Sequence, residues 1–179
     1  MHFVMRDVDQ KLGILNDLRD TSKHTAEFCE HFTTLRKMCD FEVDQYENNC
    51  PKFDVKCTLG SRSLLRLHRA FLFVIDLFEK VCNDPPELTL SELAKSAYDD
   101  SLAKYHPWVV RQAVAVAFHT LPYRQTFVAT IVANQPSGGE LKDEASCRDY
   151  LVGVALPTFR KVHQLTQHIY AKFNMLDLP

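Results

Sequence analysis

Arg62, Arg66 and Arg69 are spaced by four and three residues, which places them on adjacent turns of one helix face. Like charges so placed repel one another, and the first turns of a helix disfavour cations, so helix stability does not call for them. Two readings fit. The arginines form a solvated or acid-paired basic face, or they clamp an anion such as phosphate, to which a planar guanidinium fork is suited. The apolar run Ala70-Phe-Leu-Phe-Val-Ile-Asp-Leu-Phe78 follows at once and would set such a clamp at the mouth of a hydrophobic interior. Asp7 and Lys11 stand four apart, either as a surface ion pair worth about 0.3–0.5 kcal/mol or as a polar pair offered to a ligand. His106-Pro107-Trp108 reads in its plainest form as a helix-capping histidine beside a core tryptophan, the only tryptophan in the chain.

The elements that must position these groups are helical. Only five glycines occur among 179 residues, and no segment alternates apolar and polar residues as a half-buried strand would. The fold class is all-α. The periodicity predicts a helix over Phe3–Leu18, with Val4, Val8, Leu12, Leu15 and Leu18 on its buried side. A second helical stretch covers Ser22–Tyr46, with a break near Asp40, and Glu47–Gly60 reads as a loop. Ser61–Val81 is the clearest helix, and its second half, apolar nearly all round, is expected at the centre of the molecule. Asp84-Pro-Pro86 ends it. Thr89-Leu-Ser-Glu92 has the capping-box pattern and starts a helix running to Lys104. Pro107 suits the first turn of a helix ending before Pro122. Further helices are expected over Arg124–Ala133, Glu140–Val154 and Pro157–Asn174.

Composition bounds the function classes. The length suits one domain, residues 1–179, and 46% apolar with 25% charged residues is a globular balance. A net charge of −2 gives no general pull toward nucleic acid, so a basic site must be local. The six cysteines form no CxxC pair, and the eight histidines lack metal-ligand spacing, so neither a metal nor another cofactor is expected. No signal-peptide pattern and no apolar run of about 18 residues is present, which reads as a reduced, soluble, cytoplasmic protein.

Three pieces taken together carry more than each alone: Asp7-Val-Asp-Gln-Lys11, Leu65-Arg-Leu-His-Arg-Ala70 and Tyr105-His-Pro-Trp-Val-Val-Arg111. In this order they resemble the glycolipid transfer protein superfamily, closest to its ceramide-1-phosphate transfer branch. The resemblance extends through Ala97-Tyr98, Ser101-Leu-Ala103, Ala113-Val114, Ala117-Phe118, Thr120-Leu-Pro122 and Leu176-Asp-Leu-Pro179. It implies a two-layer helical sandwich that holds lipid chains between its layers and catalyses no reaction. The family's headgroup aspartate and lysine match Asp7 and Lys11, its two phosphate-binding arginines match Arg62 and Arg66, and its histidine before the proline matches His106. A carboxylate can accept from the amide N–H of a ceramide, a histidine can donate to the amide C=O, and the cations would surround the phosphate. Phe71, Phe73 and Phe118 are candidates to line the chain pocket, and Trp108 is the candidate membrane contact.

Two departures from the family pattern shape the expectation. Sugar-carrying members stack a sugar on a tryptophan where this chain has Phe73, which favours a phosphate headgroup over a sugar. Family domains also carry helices ahead of the aspartate motif, so the resemblance implies a chain lacking the first helices, with one side of the sandwich uncovered. The implied partners are ceramide-1-phosphate or a related sphingolipid and, transiently, a membrane surface.

Overall fold

The computed structural model describes residues 2–48, 59–136, 139 and 141–179, with the backbone alone for residues 2–5 and 46–48. Among the described residues all regular structure is helical: α1 (His2–Asp17), α2 (Ala26–Glu30), α3 (Leu35–Asn48), α4 (Gly60–Asn83), α5 (Leu90–Ser101), α6 (Trp108–Phe118), α7 (Arg124–Ala133), α8 (Glu144–Tyr150) and α9 (Leu156–Lys172). A 3₁₀ turn at Ala103–Tyr105 follows α5, and a π turn at Leu151–Ala155 joins α8 to α9. The chain divides into two compact units, residues 1–68 with 163–179, and residues 69–162.

The first unit is built around Cys39, Leu65, Tyr170, Met175 and Leu178, with Leu35, Val43, Ile169, Phe173 and Leu176 packed on them. Its helix α1 departs from the expected apolar stripe. Leu12 is exposed, whereas Val8, Leu15 and Leu18 are half-buried and Lys11 is buried among them. Spacings of three and four define that stripe, and Leu12 falls just off its edge. The break in the second helical stretch lies at His31–Thr34, ahead of the expected position near Asp40. Thr34 sets it by accepting from the Lys37 N–H at 3.2 Å as α3 begins, while Thr25 caps the start of α2, accepting from the Phe28 N–H at 3.3 Å. Of the loop expected over Glu47–Gly60, residues 49–58 lie outside the described residues, Glu47 and Asn48 belong to α3, and Gly60 opens α4.

Helix α4 starts on a buried carboxylate. Glu42 of α3, only 3% exposed, accepts from the Gly60 N–H at 2.7 Å and the Ser61 N–H at 3.0 Å. These are two of the donors a helix start leaves without intrahelical partners, and the negative charge suits the positive end of the helix dipole. Gly60 permits the approach, since a Cβ there would lie 2.6 Å from Met38 Sδ and 2.9 Å from Leu18 Cδ1. From α9, the Tyr170 hydroxyl donates to the Ser61 carbonyl at 2.8 Å. Helix α9 ends in a Schellman arrangement: Asn174 is left-handed (φ 53°), Met175 N–H donates to Tyr170 O at 2.9 Å and Asn174 N–H to Ala171 O at 3.1 Å. The turn sends Met175 and Leu178 back into the core.

The second unit has its own core of Val81, Cys82, Leu90, Leu93, Val128, Cys147, Leu151 and Ala155. In α4, Ile75 is fully buried, but Phe71–Val74 and Asp76–Lys80 are only half-buried, so the helix is less enclosed than its apolar run predicts. The Thr89/Glu92 capping box forms as expected, and α5 ends at Ser101, earlier than Lys104. Helix α8 starts at Glu144, later than Glu140, because Asp143 and Ser146 form the capping box that fixes the start. Arg124 caps the other end of α4, donating to the carbonyls of Pro85 (2.8 Å), Asp84 (3.1 Å) and Val81. Arg160 of α9 spans Asp76 (3.1 Å) and Glu79 (2.7 Å from Nε) of α4.

Candidate functional site

The candidate headgroup residues of the first unit stand on α1 and α4. On α1 the Lys11 ammonium donates to Asp7 Oδ1 at 2.9 Å, as the four-residue spacing requires. The pair is one-sided: Lys11 is 6% exposed, whereas the Asp7 side chain is 56% exposed. An ordinary surface pair leaves both ends in water. Here the ammonium is drawn inward and its counter-charge stays at the surface, where it can accept from another donor. On α4, Arg62 is 7% exposed in the first turn, close to the helix start that Glu42 holds, and Arg66 is exposed one turn on. Burial of two cations in one unit requires anionic partners, since an isolated buried charge is strongly disfavoured. Within this unit, then, α1 and the first turn of α4 each carry one inward-turned cation.

Arg69, third of the arginine series, has a different role. It belongs to the second unit, where its guanidinium lies 4.0 Å from the Tyr105 ring centroid, a cation–π contact with the residue just before His106.

His106 also belongs to the second unit. Its backbone N–H donates to Ala103 O at 3.2 Å and ends the 3₁₀ turn, with Pro107 leading into α6. Its Nδ1 lies 2.7 Å from the Tyr98 hydroxyl of α5. Tyr98 in turn meets two of the candidate lining residues edge-on, Phe73 at 6.5 Å and Phe118 at 5.8 Å, and those two rings stack at 6.3 Å. The structure thus brings Phe73, Phe118 and His106 together through Tyr98. Phe71 stands apart from this group and meets Phe159 at 5.4 Å. A cavity of about 840 Å³ in this unit is lined by residues such as Val81, Leu88, Leu121, Tyr123 and Cys147. None of Phe71, Phe73 and Phe118 lines it, so it is not the expected sleeve.

Trp108 opens α6 and is 66% exposed, which excludes the core reading of this residue. Val109 and Val116 on the same helix are exposed too, and no residue of α6 is buried. The apolar side chains of α6 thus range from half-buried to exposed. No helix among the described residues is long and apolar enough to cross a membrane.

Two residues of the site escaped the sequence. Glu42 lies 18 residues from the Gly60 it holds, and nothing in local spacing pairs them. Tyr98 lies eight residues before His106, which in a continuous helix would set the two about 12 Å apart along the axis, too far to meet.

Comparison with known proteins places these residues in context. The family model described as Glycolipid transfer protein (GLTP) matches residues 1–133. The ceramide-1-phosphate transfer protein of Bos taurus is 33% identical over 178 residues, covering 99% of this chain and 76% of its own. The crystal structure of human ceramide-1-phosphate transfer protein in complex with 12:0 ceramide-1-phosphate superposes with a TM-score of 0.81 at 32% identity, covering 99% of this chain and 79% of that one. The apo form of the mouse ceramide-1-phosphate transfer protein gives the same TM-score of 0.81, at 33% identity over 99% of this chain and 79% of that one.

Proposed function

Because the chain belongs to the glycolipid transfer protein family and has its all-helical fold, we propose that it carries ceramide-1-phosphate or a related phosphosphingolipid between membranes. The carrier is non-enzymatic and cytoplasmic, it touches membranes transiently, and residues 1–179 act as one lipid-transfer domain. Asp7 accepts from the ceramide amide N–H and His106 donates to its C=O. Lys11, Arg62 and Arg66 hold the phosphate by charge-assisted bonds. Phe71, Phe73 and Phe118 line the space for the chains, and Trp108 with its exposed valine neighbours rests at the membrane–water interface.

The observation that carries this reading is the inward placement of Lys11 and Arg62 in the unit that holds Asp7. Cations at that depth suit a ligand that brings its own negative charge into a largely apolar setting. An apolar enclosure for the chains is what carriage requires. Each methylene left in water is unfavourable by about 0.8 kcal/mol, so a chain of about 16 carbons left bare would stand on the order of 10 kcal/mol above its bilayer state.

Native mass spectrometry of the purified protein, combined with vesicle-to-vesicle transfer of labelled lipids, tests the proposal. A co-purifying phosphosphingolipid and faster transfer of ceramide-1-phosphate than of a neutral glycolipid are expected. Preference for the glycolipid would make the protein a sugar-lipid carrier of the same fold. Tight binding without transfer would make it a sphingolipid sensor.

A further inference from the structure

The histidine of the site has a fixed companion. Tyr98 is 4% exposed, and among the described residues its hydroxyl is hydrogen-bonded to His106 Nδ1 at 2.7 Å. A phenol has one hydrogen to give. Burial pushes the Tyr98 hydroxyl up from its ordinary range, so it keeps that hydrogen at neutral pH. Were the phenol only to accept from Nδ1–H, its own buried hydrogen would need a second acceptor, and leaving it without one is disfavoured. The arrangement that satisfies both groups has the phenol donating to Nδ1. A neutral imidazole that accepts at Nδ1 carries its hydrogen on Nε2.

We propose that Tyr98 is the positioning residue of the headgroup site, holding His106 as the Nε2–H tautomer in a fixed ring orientation so that it can donate to an amide carbonyl. Tyr98 is well placed for this. It is anchored on α5 and wedged edge-on against Phe73 and Phe118, so its hydroxyl has little freedom. The same ring therefore touches the candidate chain-lining residues on one side and the headgroup histidine on the other. The inference rests on the assignment of His106 to the amide, and it adds a selectivity consequence. Tyr98 should matter for ligands with an amide carbonyl and hardly at all for those without one.

The test has two arms on the full chain. In the first, ¹⁵N-histidine-labelled protein without lipid is examined by NMR at about pH 8, above the ordinary histidine range near 6.5. His106 should show a protonated Nε2 and a hydrogen-bonded, unprotonated Nδ1, and Tyr98→Phe should move the Nδ1 resonance toward its unbonded position. A proton on Nδ1 in the unaltered protein, or an Nδ1 resonance unmoved by Tyr98→Phe, overturns the assignment. In the second, Tyr98→Phe should weaken ceramide-1-phosphate by about tenfold, the worth of one hydrogen bond. Sphingosine-1-phosphate, which has the phosphate but no amide, should change less than about twofold, within the noise of a neutral substitution. In a His106→Phe background, Tyr98→Phe should add nothing. Equal losses for both lipids, or additive losses in the double variant, overturn the proposal. If the unaltered protein binds neither lipid, the carrier reading fails, and the NMR arm decides the Tyr98 assignment without it.

Discussion

Arg62 and Arg66 share a helix face but not a solvent environment, and the difference separates stability from binding. Arg62 is buried beside the start of α4, so replacing it would disturb the fold together with the site. Arg66 is exposed, and Arg66→Leu should lower phosphosphingolipid affinity roughly a hundredfold, the scale of a lost charge-assisted pair, with helix content unchanged by circular dichroism. Asp7→Val and Lys11→Ala should then differ in headgroup profile. The first should weaken every ceramide-based ligand, the second those with phosphate, and matching profiles would undo the division of roles. At this scale the pairing of Asp7 with Lys11 was legible, because four residues make one helical turn. The burial of Lys11 was not, because a sequence gives a charged residue no reason to turn inward until the neighbouring helix is in place. Tyr98 was equally hidden, since its partnership with His106 depends on how the chain turns between α5 and α6.

At the scale of elements, the carboxylate under α4 offers a sharp test. Glu42→Gln would turn an amide N–H₂ toward the Gly60 and Ser61 donors, and Gly60→Ala would push a methyl into Met38 and Leu18. Each should destabilise the protein by about 1–3 kcal/mol in denaturant unfolding, and neither should change headgroup selectivity. The thiol next to it gives a pH signature. Burial pushes the Cys39 thiol from 9.0 up to about 12, with Glu42 and Asp40 reinforcing the shift. A raised value means the folded state favours the neutral thiol. Its contribution is full below the ordinary value of 9.0 and is lost as the pH rises toward about 12. Cys39 should resist alkylation in the native protein, and Cys39→Ala should flatten the alkaline loss of stability over that interval. Helix existence was largely legible, because apolar periodicity marks it, and Arg124–Ala133 has the predicted limits. The boundaries that moved are those where a hydroxyl or carboxylate cap overrode the apolar pattern. Thr34 interrupts a stretch that periodicity alone would continue, and Asp143 holds back a helix that composition would start at Glu140.

At the scale of the whole molecule, the expectation of an all-α fold was met among the described residues because almost every segment has helical spacing and few glycines. The two separate cores were not legible, since no composition shift marks a boundary within α4. Trp108 reports on how the molecule meets a bilayer. As the only tryptophan, exposed in water, its fluorescence should shift to the blue on adding vesicles and stay put without them, and an unmoved spectrum would exclude α6 from the contact. The π turn has a consequence of another kind. Pro157 has no N–H to offer the Gly153 carbonyl, and the Leu156 N–H reaches back five residues to Leu151 O instead. Such a turn holds one residue more than an α-helix would need, as a gene that had gained a codon there would encode. Removing Gly153 should take that residue out and leave the flanks in register, with the Pro157 ring set against the carbonyl four residues back, whereas one more residue added there has no bulge to take it up and should turn everything after it by roughly 100°. Arg160 would then leave Glu79 in one unit and Tyr170 would leave Ser61 in the other, so a single insertion should unfold both, whereas Gly153→Ala, with open space around it, should be tolerated. Along this stretch the protein should accept changes of letter far more readily than changes of length.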